Sequence, residues 1–232
     1  MTQCCGVGVC ADGIIDYGGC KGGDPWGAWH YFNQYGLMSE KCVPYPSHNI
    51  NNNHQSCPQS CKNQDQINNN QNIVIELSKK FYGNGLFYRL PNDESTIRKE
   101  IMDHGSVVAA LVATYDLINY NKRLNVNETF FYQCNNYSYS LDYNNFYDNQ
   151  TKRDESLNIL PPIPTHAVRL IGWGISEATE TISENKKRKS VPYWLAANSY
   201  GNGWGDGGLF KIVRGNNSCR IEEFVTAGFP KI

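Results

Sequence analysis

An α+β fold is predicted for this chain of 232 residues, with helices gathered in its first half and antiparallel strands in its second. Three observations carry the prediction. Two capped helical patterns, Asp24 to Gly36 and Asp93 to Gly105, come before every long β-rich run. The continuous apolar run Val107 to Ala113 then reads as a fully buried strand. Beyond Pro164 three further runs, His166 to Trp173, Tyr193 to Ala197 and Leu209 to Val213, are β-rich and separated by Gly, Asn and Asp, the pattern of neighbouring antiparallel strands. Helices first and strands afterwards is the order of an α+β chain.

Each element has its own local reason. In the first helix Asp24 caps, Pro25 suits the first turn, Trp29 and Phe32 share a face, and Gly36 ends it. In the second, from about Glu94 to His104, Asp93 or Asn92 caps, Ile97 and Ile101 form the buried stripe, and Gly105 is the stop. Between them, Lys41 to Asn72 is rich in Asn and Gln and reads as loop; His48 and His54 within it read as solvated side chains. Two segments read as surface inserts: Asn125 to Pro164, aromatic and Asn-rich, and Ile175 to Ser190, whose Lys186-Lys187-Arg188-Lys189 reads as a solvated hairpin tip.

Composition narrows the function. With 21 basic and 22 acidic residues, the net charge of −1 gives no electrostatic case for a nucleic-acid or anionic-membrane partner. No apolar run reaches membrane-spanning length, and Met1 to Cys10 lacks the basic start and apolar segment of a signal peptide. Nine cysteines suggest an oxidising compartment. They do not repeat as paired CxxC knuckles, so no metal site is expected. Four N-x-S/T triplets, at Asn127, Asn136, Asn149 and Asn216, support secretion weakly in so Asn-rich a chain.

The candidate site lies in the strand region. His166 stands at the mouth of one strand and Asn198 at the exit of the next, so antiparallel pairing brings them together. A neutral amide fixes an imidazole's tautomer and orientation. It suffices as a third member where the imidazole serves a thiol, which ionises readily beside an imidazolium and needs no carboxylate behind the base. The residue types point to a Cys-His-Asn site.

At these residues the chain resembles the papain family of cysteine peptidases. His166-Ala167-Val168 with Gly172-Trp173-Gly174, and Asn198-Ser199-Tyr200-Gly201-Asn202-Gly203-Trp204-Gly205, resemble its histidine and asparagine boxes; Gly19-Cys20-Lys21-Gly22-Gly23 resembles its substrate-strand motif. Cys4-Cys5 with Cys10 and the tail Cys219 to Pro230 resemble the cathepsin B branch. The resemblance implies a papain-like fold of two subdomains, a helical one over residues 1–104 and an antiparallel β one over 105–232 carrying the inserts. It also implies proteolysis by thiol acyl transfer without a cofactor, peptide or protein substrates, cystatin-like inhibitors as partners, and a lysosome-like vacuole or secretion for a full-length protein.

The residues carry these roles unequally. His166 is implied as base and acid and Asn198 as its orienter; Gly22, Gly23, Pro25, Ala110, Ala167, Tyr200, Trp204 and Phe224 are implied as substrate-binding. The family's C-G-S-C-W box has no counterpart here, and Met1-Thr2-Gln3-Cys4-Cys5 matches a point after the nucleophile's helix. The expectation is therefore a chain that supplies histidine and asparagine but not the nucleophile, or else a non-catalytic peptide-binding relative. Cys20 stands at a plausible distance before His166, but Lys21-Gly22-Gly23 follows it instead of an aromatic residue and a helix, so it is not read as a substitute.

The resemblance also implies the pairs Cys4 with Cys57, Cys5 with Cys10 and Cys42 with Cys61, an unpaired Cys219, and no counterpart for Cys134. Tyr200 departs from the family's tryptophan and Thr165 from the glycine before the histidine. Adjacent histidines of the kind that trim dipeptides are absent, and Phe224 replaces an acidic residue, which implies a pocket for apolar or aromatic side chains.

Overall fold

The computed structural model describes residues 23–43, 79–120, 132, 134, 165–182 and 185–231. Gly22, His48, His54, Asn127, Asn136, Asn149, Cys20 and the pairs Cys4 with Cys57 and Cys5 with Cys10 lie outside the described residues. The chain divides into two compact units, one of Met1–Tyr88 with Gly228–Ile232 and one of Arg89–Ala227.

In the first unit helix α1 spans Pro25–Tyr35. Asp24 accepts a hydrogen bond from the Trp26 N–H at 3.0 Å, Pro25 fills the first turn, and Gly36 closes the helix through its N–H on Phe32 C=O. Trp29 and Phe32 do share a face, with ring centroids 6.1 Å apart, but the residue the helix fully buries is Tyr31. Strand β1 is Gly83–Arg89, and Trp26 sets its ring edge on Phe87 at 4.5 Å. Gly228 permits the close approach of α1, since a Cβ there would stand 2.8 Å from the Trp29 ring.

The second unit holds the larger core. Helix α2, Glu94–His104, is capped by Asp93, whose carboxylate accepts from the Thr96 N–H, the Thr96 hydroxyl and the Ser95 hydroxyl. Those three donors hold the Asp93 carboxyl down at about 2. Ile97 and Ile101 are the buried stripe, and Gly105 ends the helix. Next come β2 (Val107–Val112), the single turn α3 (Tyr115–Ile118), β3 (Thr165–Ile182), β4 (Asn185–Ala197), β5 (Leu209–Val213) and β6 (Phe224–Pro230). Strand order is β6-β2-β3-β4-β5, and every pairing between these five is antiparallel.

The expected strands are present, but one connection differs from the sequence reading. The 175–190 segment, read as an insert, is an extension of the β3–β4 hairpin, with pairing that continues from Ile175↔Pro192 out to Ile182↔Asn185. Residues 186–189 thus lie along a strand opposite Ala178–Thr181 instead of at a tip.

The core sits against the inner faces of β2, β3, β4 and β5, where Trp194, Leu170, Leu111, Phe210 and Ile212 are fully buried. Tyr132, inside the expected surface insert, is completely buried too. Its backbone bridges in parallel to Ile212, its hydroxyl accepts from the Thr114 N–H at 3.1 Å, and it donates to Val112 C=O at 3.3 Å. That anchoring brings Cys134 to Cys219, 5.0 Å between Cα atoms, and a disulfide joins them. The expectation of an unpaired Cys219 and an unmatched Cys134 is therefore corrected. Cys42 is also disulfide-bonded, its partner lying outside the described residues.

Candidate active site

The site is built where β3 begins and β4 ends. Arg169 pairs with Ala197, a bulge follows between Leu170 and Gly172, and the chain leaves β4 at Asn198 with its N–H on Gly208 C=O at 2.9 Å. The loop from Asn198 to Gly208 turns tightly enough to return the chain to β5. Trp204 N–H donates to Gly201 C=O and Gly208 N–H to Trp204 C=O. Gly205, at φ +60°, serves this turn, where a Cβ would meet Leu209 O at 2.3 Å.

His166 Nε2 lies 2.8 Å from Asn198 Oδ1. The same oxygen accepts the Ser199 backbone N–H at 2.7 Å. This second bond decides the tautomer, because a backbone N–H can only donate, so the carboxamide must present oxygen on that side. An oxygen facing Nε2 requires Nε2–H in the neutral ring, which leaves Nδ1 with its lone pair free to accept a proton. Asn198 Nδ2 is buried and has no partner among the described residues.

Aromatic rings cover the bond from one side. Tyr200 lies over His166 with centroids 5.1 Å apart and an interplanar angle of 33°. Trp204 meets Tyr200 edge-on at 5.4 Å and continues inward to Tyr120 and Phe210. The two rings divide the work. Tyr200 is 43% exposed and forms surface, and partial burial pushes its phenol pKa up. Trp204 is only 7% exposed and donates its Nε1–H to Ile118 C=O, so it supports from below instead of offering a binding surface.

Of the other expected site residues, Phe224, Ala110 and Ala167 stand in one row across β6, β2 and β3, since Ala110 pairs with both neighbours. Gly23 is exposed, and Pro25 is half-buried in the first turn of α1; both belong to the other unit. Thr165, the departure before the histidine, is exposed. Two features escaped sequence reading: the Ser199 N–H that orients the carboxamide, and Arg89, whose guanidinium lies 4.9 Å over the Phe224 ring. A backbone donor is invisible to a reading by residue type. Arg89 carries no motif and lies far from Phe224 in the chain.

Comparison with known proteins identifies the family. The profile described as "Papain family cysteine protease" matches residues 1–143 and 145–229. The chain is 32% identical to "Cathepsin B-like protease 1" of Arabidopsis thaliana over 234 residues, covering 99% of this chain and 48% of that protein. It is 31% identical to "Tubulointerstitial nephritis antigen-like" of Rattus norvegicus, covering 92% of this chain and 41% of that protein. The chain thus spans about half the length of the curated relatives it matches. Among solved structures it resembles "proCathepsin B S9 from Trypanosoma congolense", with a TM-score of 0.60, 26% identity, and coverage of 93% of this chain and 56% of that one. The chain belongs to the papain family of cysteine proteases and is similar to its cathepsin B-like members.

Proposed function

We propose that this chain supplies the base and its orienter to a cathepsin B-like cysteine peptidase. The carrying observation is the His166 Nε2 to Asn198 Oδ1 contact of 2.8 Å, locked by Ser199 N–H and covered by Tyr200. A thiol brought to Nδ1 gives up its proton and becomes the nucleophile, held as an ion pair with the imidazolium. His166 returns the proton to the leaving amine as the thioester forms, then takes one from water as the thioester is hydrolysed. Asn198 keeps the ring in one orientation through both transfers.

The substrate is an extended polypeptide. Phe224, Ala110 and Ala167 form the floor for one of its side chains, and the Phe224 ring favours an apolar or aromatic group there. Peptide-library profiling that ranks arginine first at this position would refute that preference. Disulfide-bonded Cys134, Cys219 and Cys42 support an oxidising compartment, such as a lysosome-like vacuole or the cell exterior.

A second reading, a peptide-binding relative without chemistry, is supported by the similarity to "Tubulointerstitial nephritis antigen-like" of Rattus norvegicus, a relative whose name is not that of a protease. The same assay separates the two. In a protein that carries the thiol nucleophile together with these residues, hydrolysis of a fluorogenic dipeptide amide, blocked by an epoxysuccinyl thiol reagent and abolished by His166→Ala, is expected of the peptidase. Peptide binding without turnover establishes the relative instead.

A further inference from the structure

The row of Phe224, Ala110 and Ala167 carries a charge that the His166 and Asn198 pair does not require. Residues paired directly across antiparallel strands turn their side chains to one face, so these three share a face. Two of them are single methyl groups, which makes the row a shallow floor with the Phe224 ring raised at one end. Arg89 lies over that ring with Cζ 4.9 Å from its centroid, and its Nη2 donates to Glu223 C=O at 2.7 Å. Stack and hydrogen bond together hold an otherwise exposed guanidinium in one place.

The carboxylate of Glu223, whose backbone oxygen Arg89 holds, is engaged elsewhere. Glu223 is engaged by Arg220, which donates to both of its oxygens, Nη2 to Oε1 at 2.7 Å and Nε to Oε2. Hydrogen bonding from Arg220 is the main reason its carboxyl is held below the usual range, with Arg89 adding to the effect. Among the described residues, Glu223 thus stands between two guanidiniums and is bonded through its carboxylate to Arg220, not to Arg89.

We infer that Arg89 determines specificity at this floor, selecting acidic over basic side chains in the peptide residue that contacts Phe224, Ala110 and Ala167. The inference rests on the peptidase reading and deepens it. A cationic side chain reaching Phe224 meets Arg89 as a like charge, whereas a carboxylate meets a planar fork of donors.

The test uses three labelled peptides identical except for Glu, Leu or Arg at that residue, with binding to the protein followed by fluorescence anisotropy. The Glu peptide is expected to bind about five-fold more tightly than the Arg peptide at low salt. Arg89→Gln should bring the ratio close to one, and Arg89→Lys should keep most of it. Raising the salt to about 0.5 M should collapse the ratio in the unaltered protein, a readout that does not depend on how the variants fold. Peptides that bind with a ratio unmoved by salt, or by Arg89→Gln in a protein that still melts cooperatively, overturn the role of Arg89 alone. Failure of every peptide to bind, or binding unaffected by Ala167→Trp, overturns the peptide floor itself and this inference with it.

Discussion

The His166 and Asn198 pair and the Glu222 corner both keep polar groups out of water, yet they do so in opposite ways. At the corner every acceptor is used. Glu222, 5% exposed, takes the Trp194 Nε1–H and the Gly215 N–H on one oxygen and the Asn217 N–H on the other. Asn217 returns the favour by accepting the Glu222 N–H, and the neighbouring Cys219 is tied to Cys134. Three non-glycine residues, Asn217, Cys219 and Arg220, sit at positive φ here, held by this network against their conformational preference. At the site the account is left open. Asn198 Nδ2 has no partner among the described residues, and His166 is half-buried with its Nε2 side turned to Asn198. A saturated network stabilises a fold; an unsaturated one leaves a group able to react.

The contrast can be broken from either side. The largest effect is expected at the corner, from opening the disulfide by Cys134→Ser with Cys219→Ser. Closing residues 85 apart restrains the unfolded chain, so unfolding stability in urea should fall by about 4 kcal/mol. Glu222→Gln comes next, at about 3 kcal/mol, because the amide nitrogen that replaces one oxygen must face an N–H. Activity per folded molecule should survive both changes. An equal fall in turnover would merge the corner with the site.

At the site the expected pattern reverses. If the proposed function holds, in a protein that also carries the thiol nucleophile Asn198→Ala should lower kcat on the order of 100-fold or more by releasing the imidazole's tautomer and orientation, with little change in melting temperature. Tyr200→Ala should cost about ten-fold in kcat by letting water compete for the His166 to Asn198 bond, while Tyr200→Phe should be nearly silent. A large drop in melting temperature with either alanine variant would make the pair a structural element instead.

The smallest effect belongs to a part of neither region. The Asp93 carboxyl, lowered to about 2 by its hydrogen bonds, stabilises α2 only while ionised. Its contribution is present above the unfolded value near 4 and is lost as pH falls through about 2. Acid melts of the unaltered protein and of Asp93→Asn should converge over that window. Curves that stay parallel would show that the cap does not depend on charge.

How far the sequence reached follows the range of the interaction. Asp24 and Asp93 announce helix starts because capping joins residues two or three apart, and both caps formed where expected. The Glu94 and Arg214 ion pair joins residues 120 apart and gave no local sign. The strand position of residues 186–189 has a related reason. The run Lys186-Lys187-Arg188-Lys189 lacks the apolar alternation that marks a half-buried strand, although the backbone ladder forms regardless. Trp204, grouped with substrate contacts through its box, proved to be core because Tyr120 and Phe210 close over it.

Residue order alone determined the helix limits, the antiparallel run of strands and the pairing of His166 with Asn198, since each is written in spacing, in caps and in the pattern of apolar residues. Only the tertiary structure decided which cysteine Cys219 takes, that Tyr132 is core and that a guanidinium rests on Phe224. Those choices depend on which distant segments come within a few ångströms. That is a property of the packed chain, which local periodicity does not encode.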